Sequence, residues 1–285
     1  MPGLSSTTLF ESSIVRTRDV QCFACKGRHA GPEEYDAYTH IAVPYRGSFV
    51  RRIGTACDIA DPNQAVFFNS AEGYRIDHIA DHGDACMSIR LRCDVLEELR
   101  SPQLRLTNGA AFFIRRQQRI GPSTQLAVAR LRDGNLSPLQ IEESAIAIAS
   151  DLLAGTRRPR LRASQRRLVG RAKLLLNADL ERRWSLQAIA SDMKTSIVYL
   201  TQSFRAIEGV PMYKYYTNLR LARSLHELSS SKDIVDIALE YGFSSHSQYS
   251  STFLRTYGMS PSAYRASTAR RKSLKNRKVR HLPRA

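Results

Sequence analysis

Two short stretches near the C-terminus set small polar side chains where a partner's surface can be read. In the first, Leu200 and Phe204 stand at i, i+4 and face inward, while Thr201, Gln202 and Arg205 fall on the other side. In the second, Tyr249 and Phe253 repeat the apolar pair, and His246, Ser247, Ser250, Ser251 and Arg255 fall outward. Short hydroxyls and an amide suit close approach to a base edge better than burial. A second group of residues carries metal or thiol chemistry. Cys22-x2-Cys25-x3-His29, with His40 further on, has the ligand types of a zinc site, and His78-x3-His82-x3-Cys86 is another candidate. Neither follows a familiar finger spacing. Cys22 and Cys25 are equally a candidate redox pair, but buried cysteines and scattered histidines more often serve packing.

The two polar faces belong to a repeated unit. Ile189-Ala190, Leu200, Phe204 and Gly209 recur as Ile237-Ala238, Tyr249, Phe253 and Gly258, offset by 48 residues at the Ile-Ala pairs and by 49 from Leu200/Tyr249 onward. The second copy therefore carries one extra residue in its turn. Each copy has room for two short helices with a tight turn between them. Ser196, and Ser244 or Ser245, are suitable N-caps, since a serine oxygen accepts an otherwise orphaned N–H. Gly209 and Gly258 fit left-handed helix stops, and Pro261 follows the second closely. Two such units in tandem predict two helices entering successive major-groove segments of DNA.

Charge points the same way. Residues 155–285 hold 26 Lys+Arg against 8 Asp+Glu, a net of +18, so the whole excess of +17 lies in the half with the repeats. Such segregation is the footprint of polyanion binding. No apolar run approaches the roughly 20 residues of a spanning helix, and the N-terminus has no charged-then-apolar signal segment. The expectation is a cytoplasmic chain with no membrane partner. Glycine-rich phosphate loops, nucleophile elbows and triad-like histidine patterns are lacking, so neither an enzyme nor a cofactor is expected.

At 285 residues two domains are expected. Ile141–Leu153 reads as a helix with Ile141, Ala145, Ile148 and Leu152 on one face. A basic stretch with Gly155 and Pro159 follows, and a helix resumes near Gln165. The expected boundaries are a first domain over 1–154, a linker over 155–166, a second domain over 167–268 and a basic, disordered tail over 269–285. Within the first, His40–Val43, Ser48–Val50, Ala65–Phe68 and Cys86–Leu91 read as strands separated by turn residues, which suggests a sandwich or small barrel. Helices near Asp94–Arg100, Gln125–Asp133 and Ile141–Leu153 would pack outside it.

The stretch from Trp184 to Arg265 resembles the DNA-binding domain of the AraC/XylS family of bacterial transcription regulators. Leu186, Ala190, Leu200, Phe204, Gly209, Arg220-Leu221, Ile237-Ala238, Gly242-Phe243, Tyr249, Phe253, Gly258, Pro261 and Tyr264-Arg265 carry the resemblance. Ser224 and His226 depart from the usual Ala and Leu, at positions that bear on packing. The resemblance implies an α+β two-domain chain: an N-terminal β-rich, cupin-like barrel with flanking helices and a C-terminal all-α double helix-turn-helix domain. A helix over about Met212–Leu228 would join the two units, and the recognition helices would reach groove segments about 34 Å apart. By position, the base-edge readers are Val198, Thr201 and Gln202, then His246, Ser247, Ser250 and Ser251, with Arg205 and Arg255 on phosphates. The implied partners are promoter DNA, RNA polymerase, a small-molecule effector and a second copy in a homodimer, with activation the usual mode. Two rivals stay open. One is a metal- or redox-sensing regulator using Cys22, Cys25, His29 and His40; the other is a nonspecific architectural DNA binder.

Overall fold

The computed structural model describes residues 4–23, 32–79, 83–107, 110–133, 136–154 and 162–269. The N-terminal half is built on antiparallel strands. In chain order these are β1 (Leu4–Glu11), β2 (Val15–Cys22), β3 (His40–Arg46), β4 (Phe49–Ile53), β5 (Ala56–Ala60), β6 (Gln64–Phe68), β7 (Arg75–His78) and β8 (Asp84–Leu91). After helix α1 (Cys93–Glu98) come β9 (Leu104–Thr107), β10 (Ala110–Phe113) and β11 (Gln117–Arg119), then α2 (Pro122–Arg132) and α3 (Pro138–Leu153). The large sheet runs β1-β2-β8-β3-β6-β11, a smaller one runs β5-β4-β7, and β9 and β10 form a hairpin.

Period-two alternation gives the large sheet two different faces. Val15, Ile41, Val43, Met87 and Ile89 face the helices and pack on Ile141, Ala145, Ile148 and Leu152 of α3. All four predicted α3 positions are buried. Ala42, Val66 and Phe68 face the other way, toward Phe49, Ala60 and Tyr74. The expected closed barrel is corrected here. Among the described residues, the small sheet's ladders link only β4 with β5 and β7, β1 and β11 end the large sheet as unpaired edges, and the two sheets face one another without closing.

The C-terminal half is helical: α4 (Ala163–Ala178), α5 (Leu186–Asp192), α6 (Ile197–Glu208), α7 (Met212–Glu227), α8 (Ile234–Glu240), α9 (His246–Tyr257) and a last helix over 261–269. Helix α4 starts inside the stretch expected as linker. Most of that stretch, and the tail from 270, lie outside the described residues. The repeat positions form two cores. Ile189, Ala190, Leu200 and Phe204 pack with Tyr215 and Leu219 of α7. Ile237, Ala238, Tyr249 and Phe253 pack with Leu221 and Leu225 one turn further along the same helix. Helix α7 is thus the common spine of both units.

Candidate nucleic-acid interface

Local chemistry sets each recognition helix. Ser196 Oγ accepts the Tyr199 amide at 3.1 Å, and Gly209, at φ +72°, donates its amide to the Arg205 carbonyl at 2.8 Å. The second unit repeats this: Ser245 accepts the Gln248 amide at 3.1 Å, and Gly258 stands at φ +74°. Ser245 is therefore the cap, and Ser244 is the extra residue, with its amide and hydroxyl donating to Gln248 Oε1. The turn before each helix requires a left-handed residue at the same repeat position. Lys194 fills it in the first unit, Gly242 in the second. A Cβ on Gly242 would stand 2.5 Å from both Arg220 Nη2 and the Leu180 carbonyl oxygen. Arg220 cannot move away cheaply, because Nε donates to that carbonyl at 2.8 Å while the guanidinium stacks on Tyr216.

The predicted contact residues lie on two exposed helix faces. Val198, Gln202 and Arg205 are exposed on α6, and Thr201 is half-buried. The Thr201 hydroxyl donates back to the Ile197 and Val198 carbonyls, at 2.9 and 3.1 Å, as hydroxyls in helices often do. The Gln202 side chain makes no hydrogen bond among the described residues, so its amide is available. On α9, His246, Ser247, Ser251 and Arg255 are exposed and Ser250 half-buried. Ser250 lies 3.3 Å from His246 Nε2, and Ser251 donates to the Gln248 carbonyl at 3.1 Å. The second helix therefore offers shorter and more internally engaged groups than the first.

The hydrogen bonds between the helical units and the N-terminal half centre on one turn, residues 61–63 between β5 and β6. Tyr215 OH donates to Asp61 Oδ2 at 2.5 Å, Asn177 Nδ2 donates to the same oxygen at 3.1 Å, and Asn63 Nδ2 donates to the Tyr215 carbonyl at 3.0 Å. Gln64 Nε2 donates to Glu208 Oε2 at 2.9 Å, and Lys173 lies 3.4 Å from Glu208 Oε1, with both side chains nearly fully buried. Gln125 of α2 extends the network to α9. Its amide donates to the Pro62 carbonyl and Asn63 Oδ1, and its carbonyl accepts from Tyr257 OH at 3.0 Å. Burial together with Asp61 and Glu208 pushes the Tyr215 phenol well up, keeping it a donor. Leu126 and Ala129 of α2 complete the core of the second unit. Ser224 and His226 do act in packing: Ser224 Oγ is 2.9 Å from Tyr249 OH, and the His226 ring leans on Tyr45.

The second face of the large sheet borders a cavity of about 650 Å³, closed on the far side by β4, β7 and the 32–38 segment. The residues offered for metal or redox chemistry meet different fates there. Cys22 is disulfide-bonded, which removes the thiolate a metal would need. Cys25, His29 and His82 lie outside the described residues. His40 is stacked on Phe68, and burial lowers its pKa. His78 Nδ1 meets Asp84, with Cys22 Sγ 3.5 Å from Nε2. Burial drives the Cys86 thiol upward, away from reactivity. No group of three such residues is placed to hold a metal among the described residues.

The polar turn and the cavity were not read from sequence as functional. The available signal was the spacing Arg16, Arg18 on β2 and Ser88, Arg90 on β8, a period-two run of polar residues on strands. For the turn there was none, since its side-chain partners Gln125, Asn177 and Tyr215 all lie more than 60 residues away.

Residues 189–267 match the family model described as a helix-turn-helix domain. The transcriptional activator AarP of Providencia stuartii is 31% identical over 104 residues, covering 36% of this chain and 77% of that protein. The transcriptional regulator ArgR of Pseudomonas aeruginosa is 31% identical over 140 residues, 49% of this chain and 38% of that one. Among solved structures, a transcriptional regulator with an AraC-type DNA-binding domain from Chromobacterium violaceum is 34% identical. It covers 38% of this chain and 97% of its own, with a TM-score of 0.35.

Proposed function

The chain belongs to the AraC/XylS family of DNA-binding transcription regulators, and on that footing we propose that it is a promoter-specific regulator, acting as an activator, in which residues 1–154 sense a small molecule and residues 167–268 read DNA. The carrying observation is that α6 and α9 share one spine, α7, and each turns an exposed face outward, with Gln202 and Arg205 beside Val198 and Tyr199 on α6 and His246, Ser247, Ser251 and Arg255 on α9. Val198 and Gln202 read base edges in the first groove segment, with a thymine methyl and an adenine as their natural partners. His246, Ser247, Ser250 and Ser251 meet the second segment, partly through water. Arg205 and Arg255 hold phosphates. Thr201 adds its side chain to the first contact.

The cavity is of the size that holds a small effector. It would act on DNA binding through the turn 61–63, whose hydrogen bonds reach α4, α7 and, through Gln125, α9. RNA polymerase and a second copy of the chain complete the proposed assembly, with a cytoplasmic location. The N-terminal fold we read as an opened relative of a cupin-like barrel.

A nonspecific architectural binder is the rival that charge alone would support. Fluorescence anisotropy separates the two: DNA selected from a random pool should bind at least about 10³-fold tighter than the unselected pool. An affinity that ignores sequence would sink the specific reading. The disulfide at Cys22 supports a second reading, redox control of the sensor half. Operator affinity unchanged by dithiothreitol would dismiss it.

A further inference from the structure

On the cavity face of the large sheet, β2 and β8 set Arg16 directly opposite Arg90, and Arg18 one rung further on, opposite Ser88. Like charges facing each other across a ladder are destabilising unless something neutralises them. Arg16 has partial relief from Glu11 at 3.4 Å. Arg18 and Arg90 have no carboxylate partner among the described residues; Arg90 instead lies over the Tyr38 ring at 3.5 Å. Both Arg18 and Arg90 line the cavity.

Of the carboxyl groups that also border the cavity, Asp84 is paired with His78 and burial pushes Glu34 toward its neutral form, while Asp36 stands beside the Tyr74 phenol with its Oδ2 buried and without a hydrogen-bond partner among the described residues. The Asp84 end and the Arg16 end of β2 are six residues apart in register, about 20 Å along the strand. Between them the surface is apolar and aromatic, from Val20 and Ala42 to Phe49, Phe68 and Ile76.

We infer that the ligand of this cavity is an organic monoanion, an aryl or arylalkyl carboxylate, whose charged group lies on Arg18 and Arg90 and whose apolar body lies against Phe68 and Phe49. Guanidinium groups favour carboxylates because their donors match the two oxygens. This rests on the small-molecule reading of the N-terminal half, which it narrows to one charge class.

Isothermal titration of the full chain with 4-phenylbutanoate and 2-naphthoate, and with the primary amide of each, tests it. The carboxylates should bind at least about tenfold tighter than their amides. Arg18→Gln and Arg90→Gln should each remove about that advantage and leave amide binding as it was. Amide binding and an unchanged melting temperature serve as the folding control. Equal binding of carboxylate and amide overturns the charge assignment while the small-molecule reading stands. Carboxylate binding that survives both Arg substitutions overturns the placement. Failure of all four probes to bind overturns both readings.

Discussion

The Tyr215 hydroxyl donates to the Asp61 carboxyl group at 2.5 Å, joining the spine helix α7 to the β5–β6 turn across 154 positions of sequence. Both residues are essentially fully buried. Asp61 holds Asn177 as well, so the same oxygen ties α4 and α7 to the N-terminal half. Tyr215→Phe removes the hydroxyl while keeping the ring that packs on Phe204. A buried hydrogen bond to a charged acceptor contributes roughly 1.5–3 kcal/mol, and a loss of that size is expected in urea unfolding of the full chain. A loss below about 0.5 kcal/mol would show that the turn is not a strong junction.

Sequence made the repeats visible because their signals are local. A capping serine, an i, i+4 apolar pair and a left-handed glycine all act within one helix, so Ser196, Phe204 and Gly209 could be placed without a tertiary structure. The strands over His40–Val43 and Cys86–Leu91 were legible for the same reason. Which face of those strands would border a cavity was not, because Arg16 and Arg18 alternate as any half-exposed strand does. Closure of the sheets was misread, since it depends on which edges pair and not on any strand's own composition. The junction at Asp61 was invisible: Tyr215 reads as one more aromatic on a helix until the turn is folded against it.

Gly242 and Gly258 separate two reasons for glycine. Both have positive φ, but Gly258 has open space around its Cα hydrogens, while Gly242 abuts Arg220 and the Leu180 carbonyl. Gly258→Ala should therefore cost only the conformational penalty, about 1 kcal/mol. Gly242→Ala adds a steric clash and should cost about 2–4 kcal/mol, with weakened operator binding as α8 and α9 shift. Denaturant midpoints of the two variants decide it; equal losses would show that Arg220 yields freely.

His78 gives a pH signature with a definite sign. The Asp84 hydrogen bond raises its pKa, outweighing the opposing effect of partial burial. A raised folded pKa means the pair's contribution is complete below the ordinary histidine value of about 6.5 and is lost as pH rises through the folded value. The stability advantage of the native protein over His78→Gln should therefore be greatest below about pH 6.5 and shrink as pH rises above it. His40 shifts the other way, but it is common to both proteins and cancels in the difference. An advantage that grows with pH would mean His78 is held neutral.

Gln202 and Arg205 lie one turn apart on α6, both exposed, and should fail differently. The Gln202 amide, unengaged among the described residues, can bond both the N6 and N7 positions of adenine. Gln202→Ala should cost about 1–3 kcal/mol on the preferred operator and erase preference at one base position. With Arg205 on a phosphate, as proposed, Arg205→Ala should weaken all sequences alike and lower the slope of log affinity against log salt by about 1. Anisotropy titrations on a single-substitution operator library, repeated at two salt concentrations, measure both. A Gln202→Ala protein that keeps its full sequence preference would show that α6 sits in the groove in another register.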